Sequence, residues 1–182
     1  MAEGKDRPWI AFFSQTGTEI VEIAKHFGFG PDVIVTNERP ESLRKINPEI
    51  KDLGKIVTVP NKPTLEELEE VIGHYHKPII TLHGWLRIMP PELCTKYTIF
   101  NGHPGLITKY PELKGKDPQV RAFEGNYDTI GCVLHRVTEG VDEGKILMVE
   151  EVNAFELELD DIFHILGDRS LYMWINFLEE NL

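Results

Sequence analysis

Trp9-Ile-Ala-Phe-Phe13 is a continuous apolar run that leads through a short polar turn into the amphipathic segment 19–27. An uninterrupted run of this length is typical of a strand that is buried on both faces. In the segment that follows, Ile20 and Ile23 would lie on one face of a helix. The next apolar run, Val33-Ile-Val-Thr36, predicts a second strand. A strand, a helix and another strand in this order predict a right-handed βαβ unit with parallel strands.

The same alternation continues along the chain. Lys55-Ile-Val-Thr-Val59 and Pro78-Ile-Ile-Thr-Leu82 predict the third and fourth strands, and a short helix is expected at Glu41–Ile46. Thr64 predicts the start of a helix that runs to about His74, because a glutamate three residues later completes a capping box. These units predict an α/β fold with a mostly parallel sheet, whose ligands bind beyond the carboxyl ends of the strands.

The last third of the chain has a different pattern. A short helix is expected at 118–124, two successive strands at 131–136 and 145–152, and a closing amphipathic helix at about 160–179. We find no internal repeat or linker, so we expect residues 1–182 to form a single domain. The apolar face of the closing helix is expected to comprise Ile162, Ile165, Leu166, Leu171, Trp174 and Leu178.

Composition and charge limit the classes of partner. The chain has 182 residues, of which 41% are hydrophobic, and a formal net charge of −11. An acidic surface disfavours binding to a nucleic-acid backbone, although a local basic pocket can still accept an anionic substrate. The polar N-terminus shows no secretory leader, and no apolar stretch approaches the roughly 20 residues that cross a bilayer. Cys94 and Cys132 lack CxxC spacing and are expected to be reduced thiols. We therefore expect a cytoplasmic protein that does not bind membranes.

Asn101, His103 and Asp142 are the residues with the clearest chemical potential. The amide of Asn101 can donate to a developing oxyanion, and His103 can donate a second hydrogen bond or a proton. Asp142 lies in the turn-rich loop 137–144, which could bring its carboxylate beside the other two. A carboxylate raises the pKa of a neighbouring imidazole, so we expect a charged His103 near neutral pH. The alternative is an Asn-Gly turn with a structural histidine.

A second candidate site is the turn before the first helix. Thr16, Gly17 and Thr18 stand where backbone N–H groups and the helix dipole could bind an anion. An ordinary N-capped turn is an equal alternative, because the segment matches neither GxGxxG nor a P-loop. Glu19 would repel a phosphate there unless its side chain turned away.

The segment Leu82-His-Gly-Trp-Leu-Arg-Ile-Met-Pro90 follows the fourth predicted strand. His83 is either a satisfied loop histidine or a variation in a pocket. Core packing is the alternative to a binding role for the apolar residues. The side chains that could wall a flat heterocycle are Trp85, Leu86, Ile88 and Met89.

Histidines at four places could suggest a metal site, but no cysteine or carboxylate stands at a spacing that a structural zinc site uses. We therefore expect no metal. The four are His74, His76, His83 and His103.

The order of motifs over about residues 9–152 resembles the folate-dependent formyltransferases. Asn101-x-His103-Pro104 and Val141-Asp-Glu-Gly-Lys-Ile146 match that family's Asn-x-His-Pro and Asp-x-Gly-x-Ile motifs. His135-Arg-Val-Thr138 is most like the glycinamide ribonucleotide branch, whereas Gly115-Lys-Asp-Pro118 is closer to the methionyl-tRNA and sugar branches.

The resemblance implies a single-domain, Rossmann-like formyltransferase fold with a mostly parallel twisted sheet flanked by helices. It implies 10-formyltetrahydrofolate as donor, a small-molecule primary amine as acceptor, and Asn101, His103 and Asp142 as the catalytic residues. The residues that would bind the folate donor are Trp85, Leu86, Arg87, Ile88, Met89, Val137, Thr138, Gly140 and Val141. Those that would bind the acceptor and its phosphate are Thr16, Gly17, Thr18, Glu19 and His135.

The resemblance favours glycinamide ribonucleotide of purine biosynthesis as acceptor. The acidic charge and the expected absence of a further C-terminal domain disfavour tRNA. An amino sugar nucleotide or another phosphorylated amine is the alternative, because Glu19 stands where the family usually has asparagine. A catalytically silent folate- or nucleotide-binding module is a further alternative. The sequence does not predict the oligomeric state.

Overall fold

The computed structural model describes residues 5–37 and 45–182. At its centre is a seven-stranded sheet. Its strands are β1 (Trp9–Phe13), β2 (Val33–Thr36), β3 (Lys55–Thr58), β4 (Ile79–Leu82), β5 (Thr98–His103), β6 (Thr129–Arg136) and β7 (Ile146–Asn153). They lie in the order β3-β2-β1-β4-β5-β6-β7. Strands β1 to β5 are parallel, and β6 and β7 are antiparallel to their neighbours. The predicted α/β class with a mostly parallel sheet is confirmed.

Five α-helices are present in the described ranges: α1 (Thr18–Phe27), α2 (Leu65–Ile72), α3 (Pro91–Lys96), α4 (Pro118–Glu124) and α5 (Leu159–Asn181). None of them is both long enough and apolar enough to cross a membrane. Helix α2 begins with the predicted capping box between Thr64 and Glu67. Helix α3 was not predicted. The helix expected at Glu41–Ile46 lies largely outside the described residues, and Lys45 and Ile46 are not helical.

The apolar run of β1 is buried because helices cover both faces of the sheet. Trp9 and Phe13 pack on one face with residues of α1 and α5, and Phe12 packs on the other face with Leu68 of α2 and Leu93 of α3. All five residues of β1 are fully buried. Continuous apolarity is therefore required at β1, since neither face of the strand meets water.

Helix α5 closes the face that carries α1. Trp174 and Leu178 are buried there as predicted, together with Met173 and Phe177, which the predicted apolar face omitted. Ile165 is only partly buried. A helix of this length packs against several elements in turn, so its buried stripe is wider than a single heptad pattern suggests.

The strand order places the carboxyl ends of β1 and β4 at a topological switch point. After β3 the chain crosses to the opposite side of β1, so the loops that follow β1 and β4 lie where open α/β sheets bind their ligands. Two hydrogen bonds tie these loops together at their base. Ser14 N–H donates to the Gly84 carbonyl (3.2 Å), and Leu86 N–H donates to Ser14 Oγ (3.0 Å).

Candidate active site

Asn101 and His103 lie on β5 and not in a turn. Residues two apart in a strand point to the same face of the sheet, so their side chains project together. The antiparallel pairing of β5 with β6 places His135 directly opposite Asn101. Asn101 Nδ2 lies 3.2 Å from His135 Nε2. The alternative of an Asn-Gly turn is therefore wrong, and the catalytic role of His103 stays a prediction.

Asp142 reaches both histidines from the loop between β6 and β7. Its Oδ2 accepts a hydrogen bond from Gly115 N–H (2.9 Å) and lies 3.4 Å from His103 Nδ1. Its Oδ1 lies 3.3 Å from His135 Nε2. Asp142 has a left-handed backbone conformation (φ 51°), which aspartate and asparagine tolerate better than most residues. The three residues that the sequence singled out thus converge, and the loop geometry is compatible with the residue type.

His103 is buried, and its environment differs from our expectation. Its Nε2–H donates to the Leu113 carbonyl (2.9 Å), and only 7% of its side chain is exposed. Burial lowers the pKa of His103 below that of an ordinary histidine, and this effect exceeds the opposing attraction of Asp142 and the Leu113 hydrogen bond. We expected Asp142 to raise the pKa of His103 overall, and that expectation was wrong because it neglected the loss of hydration.

Asp142 behaves differently although it is also buried. Burial alone would raise its pKa, but the hydrogen bond with His135, the attraction of His103 and the Gly115 N–H together hold the pKa below the usual aspartate value. At neutral pH the site therefore contains a carboxylate beside an imidazole that is readily neutral. Such an imidazole can accept a proton and is then stabilised by the carboxylate.

His135, which we predicted to bind the acceptor, lies beside Asn101 and Asp142. Its side chain is 3% exposed, and its Nδ1–H donates to the Arg136 carbonyl (3.0 Å). Its Nε2 therefore faces both the Asn101 amide and the Asp142 carboxylate, and it links those two residues within the site. The sequence carried no signal for this link, because the register of β5 against β6 is set only in the folded sheet.

The turn before α1 has the backbone geometry of a left-handed cap. Gly17 (φ 70°) is the N-cap residue, and a Cβ atom placed there would lie 2.6 Å from Ile50 Cδ1. Thr16 Oγ accepts from Thr18 N–H (3.3 Å), and its carbonyl accepts from Asn47 N–H (2.8 Å). Thr16, Gly17 and Thr18 thus form an ordered turn that opens α1, and its left-handed backbone at position 17 favours glycine.

Glu19 contacts neighbouring side chains, whereas we predicted a contact with the acceptor. Its Oε1 lies 2.7 Å from His83 Nδ1, and its Oε2 accepts a hydrogen bond from the Ser170 hydroxyl (2.6 Å). His83 in turn contacts Thr81 Oγ1 through Nε2 (2.8 Å) and is a satisfied buried histidine. Both carboxylate oxygens of Glu19 are therefore occupied within the protein.

The segment after β4 divides into buried and exposed apolar residues. Trp85 and Met89 belong to the core, where Trp85 packs edge-on against Phe12 (5.2 Å between ring centroids). Both side chains are buried, as the core-packing alternative expects, and their part in a binding pocket stays a prediction. Leu86 and Ile88 are 55% and 74% exposed. The exposed pair is the part of this segment that a flat ligand could cover.

The remaining residues of the predicted donor site lie in two places. The Arg87 guanidinium donates to the backbone and side-chain oxygens of Asn61 and to the Leu86 carbonyl, so it is held against the loop after β3. Val137 packs partly against the core beside Met89. The predicted donor-site residues on the loop that carries Asp142 are exposed or half-exposed, namely Thr138, Gly140 and Val141.

In residues 5–37 and 45–182, no group of three or more histidine, cysteine or acidic side chains is arranged to hold a metal ion. A cavity of about 420 Å³ lies elsewhere, between β3 and α2, and contains none of the predicted site residues.

The sequence model of one family, described as formyl transferase, matches residues 21–163. The chain belongs to the formyl transferase family. Much of the matched region is the sheet and loop framework that brings Asn101, His103 and Asp142 together. The family assignment therefore agrees with the resemblance that the motifs indicated.

This formyl transferase is similar to several named proteins. It is 39% identical over 89 residues to the trifunctional purine biosynthetic protein adenosine-3 of Chironomus tentans, covering 48% of this chain and 6% of that protein. It is 30% identical over 128 residues to the phosphoribosylglycinamide formyltransferase of Dictyostelium discoideum, covering 62% of this chain and 61% of that one. The chain thus spans less than two thirds of the length of both relatives.

The fold is also that of a solved structure. The phosphoribosylglycinamide formyltransferase of Anaplasma phagocytophilum superposes on this formyl transferase with a TM-score of 0.82 and 21% identity, covering 96% of this chain and 86% of that one. The predicted Rossmann-like formyltransferase fold is confirmed.

Proposed function

We propose that this formyl transferase, with residues 1–182 acting as one catalytic domain, transfers the formyl group of 10-formyltetrahydrofolate to the amine of glycinamide ribonucleotide in purine biosynthesis. The convergence of Asn101, His103 and Asp142 at one edge of the sheet carries the proposal. The names of the relatives from Dictyostelium discoideum and Chironomus tentans support the choice of acceptor.

The loops around this site fit a folate donor. Leu86, Ile88 and Val141 are large apolar side chains that are at least half exposed in the loops after β4 and β6. Apolar residues that line a cleft next to a few convergent polar groups are typical of sites for flat heterocycles. The donor supplies a formyl group attached to nitrogen, which an amine can attack. We propose that these three side chains, with Arg87, Thr138 and Gly140, bind it in a cytoplasmic enzyme that needs no metal.

Asn101 would stabilise the negative charge that develops on the formyl oxygen, and His103 would take up the proton of the amine. The amide N–H of Asn101 donates to the formyl oxygen as negative charge develops there, a contribution that is typically worth about 100- to 1,000-fold in rate. Neutral His103 accepts the proton that the attacking amine must lose, and Asp142 stabilises the resulting imidazolium. The imidazolium then returns this proton to the folate nitrogen as the bond between that nitrogen and the formyl carbon breaks. His135 Nε2 lies against both the Asn101 amide and the Asp142 carboxylate, and it either accepts from the amide or donates to the carboxylate. This order of events uses the lowered pKa of His103, since a permanently charged ring could not take up a proton.

The acceptor would bind at the turn before α1, through Thr16, Gly17 and Thr18. Backbone N–H groups at the first turn of a helix attract a phosphate group. The proposal treats Glu19 as a neighbour of the phosphate and not as a ligand, because its oxygens are already bonded to His83 and Ser170.

A transfer assay tests the proposal. Purified protein and 10-formyltetrahydrofolate are mixed with glycinamide ribonucleotide, a 4-amino-sugar nucleotide, methionyl-tRNA or buffer alone, and formylated product is measured by mass spectrometry. We expect rapid formylation of glycinamide ribonucleotide and its loss in His103→Ala. Turnover of another amine would keep the chemistry and reject the acceptor. Donor binding with no turnover of any amine, unaffected by His103→Ala, would instead indicate a folate-binding module.

A further inference from the structure

A series of hydrogen-bonded polar side chains connects four elements around the proposed acceptor site. Trp9 Nε1–H on β1 donates to Thr81 Oγ1 on β4 (2.8 Å), and Thr81 Oγ1 contacts His83 Nε2 (2.8 Å). His83 Nδ1 lies 2.7 Å from Glu19 on α1, and Glu19 accepts from Ser170 on α5. The catalytic chemistry proposed above uses none of these side chains. This series of hydrogen-bonded side chains must therefore have another role.

The hydrogen bonds in this series of side chains run in one direction, from Trp9 to Glu19. Thr81 Oγ1 accepts from Trp9, so its own proton is free to donate to His83 Nε2. His83 Nδ1–H then donates to Glu19 Oε1, and the Ser170 hydroxyl donates to Oε2. Every polar atom in the series is satisfied by this arrangement. The series ends at the Glu19 carboxylate, which accepts two hydrogen bonds.

Both donors to Glu19 are well fixed. The side chain of His83 is 1% exposed and packs against Trp174, with ring centroids 4.5 Å apart. Ser170 belongs to α5, and the Glu19 side chain itself is only 25% exposed. Glu19 is the second residue of α1, so a released carboxylate would lie close to the free N–H groups of the first turn, where negative charge is favoured.

We propose that His83 and Glu19 are a positioning pair for the acceptor site: His83, with Ser170, holds the Glu19 carboxylate away from the first turn of α1, so that this turn stays open to the acceptor's phosphate. This inference rests on the proposed function. It explains how a glutamate is tolerated beside a phosphate site, since His83 forms a hydrogen bond with the carboxylate. Without His83, Glu19 would compete with the phosphate for the N–H groups and repel it.

The test is a double-variant cycle. In His83→Ala we expect the KM for glycinamide ribonucleotide to rise at least tenfold, with kcat and the KM for the folate donor changed less than threefold. In the double variant with Glu19→Gln, the acceptor KM should return to within threefold of wild type, because glutamine carries no charge. A role in stability alone would make the double variant no better than the single one, and that result would overturn the proposal.

Two further variants act as controls. His26 also pairs with a glutamate across α1 and α5, at 3.3 Å from Glu179, but both side chains are about half exposed. His26→Ala should leave the acceptor KM unchanged, and an equal rise there would overturn the proposal. If His83→Ala fails to fold, Ser170→Ala removes one donor to Glu19 while His83 stays, and should raise the acceptor KM by a smaller factor. An unchanged acceptor KM in Ser170→Ala would contradict the inference.

A measurement that needs no turnover separates this inference from the proposed function. Inorganic phosphate is titrated into each variant by calorimetry. We expect weaker phosphate binding in His83→Ala and recovery in the double variant, whether or not glycinamide ribonucleotide is formylated. Absence of phosphate binding to the wild type would overturn the positioning role, whereas phosphate binding without formylation would count only against the proposed acceptor.

Discussion

Replacing Asp142 by asparagine tests the proposed role of its carboxylate in proton transfer. Asparagine keeps the shape of the side chain and can still accept from Gly115 N–H. It also tolerates the left-handed backbone at this position, whereas alanine would be strained there. The substitution therefore removes the charge and leaves the loop intact.

The expected magnitude follows from the distance between the charges. A carboxylate 3.4 Å from a protonated imidazole stabilises it by about 5 kcal/mol at an effective dielectric constant near 20. Water and the other contacts of Asp142 reduce that upper bound, so we expect about 3 to 4 kcal/mol in the transition state. This corresponds to a fall in kcat/KM of roughly 100- to 1,000-fold.

The pH profile gives the sign of the effect. The proposed mechanism requires neutral His103, so kcat/KM should fall as the pH drops through the pKa of His103, which lies below that of an ordinary histidine. Asp142 raises that pKa, so Asp142→Asn should lower it further and move the acidic limb to lower pH. The assay is initial rates of formyl transfer between about pH 5 and 8, around the usual histidine pKa.

Glu143→Gln is the matched control, because Glu143 is the exposed neighbour of Asp142 in the same loop. It should change kcat/KM less than about twofold, as exposed substitutions usually do. A loss smaller than tenfold in Asp142→Asn, or an acidic limb that stays in place or moves to higher pH, would refute the assigned role.

Three further substitutions separate chemistry from packing. Asn101→Ala should lower kcat by about 100- to 1,000-fold while fluorescence titration shows unchanged donor affinity, and a parallel loss of affinity would contradict the oxyanion role. Gly105→Ala places a Cβ atom 2.8 Å from His103 Nε2, so it should lower both kcat and the melting temperature, whereas full activity would show that His103 can shift freely. Thr64→Ala removes the cap of α2 and should lower the free energy of unfolding in urea by about 1 kcal/mol without changing kcat. A loss of activity in that variant would connect α2 to the site, which the structure does not.

Local patterns in the sequence were sufficient to predict most of the strands and helices. The bounds of β1 and β2 agree with the predicted runs, because a strand covered on both faces must be apolar at every position. The start of α2 was predicted for a different local reason, since its capping box lies within four residues of chain. Helix α3 was missed because its six residues are too few to show a helical period.

The sequence by itself was sufficient to identify Asn101, His103 and Asp142 as the candidates for the chemistry, since the spacing of Asn101 and His103 and the loop around Asp142 are visible in the sequence. Only the tertiary structure decided what surrounds them. The charge of His103 depends on burial by parts of the chain far apart in sequence, and the link through His135 depends on strand register. The orientation of the Glu19 carboxylate depends on His83, which is 64 positions away in the sequence. Burial, register and long-range hydrogen bonds arise from packing in three dimensions, and no local pattern of residue types encodes them.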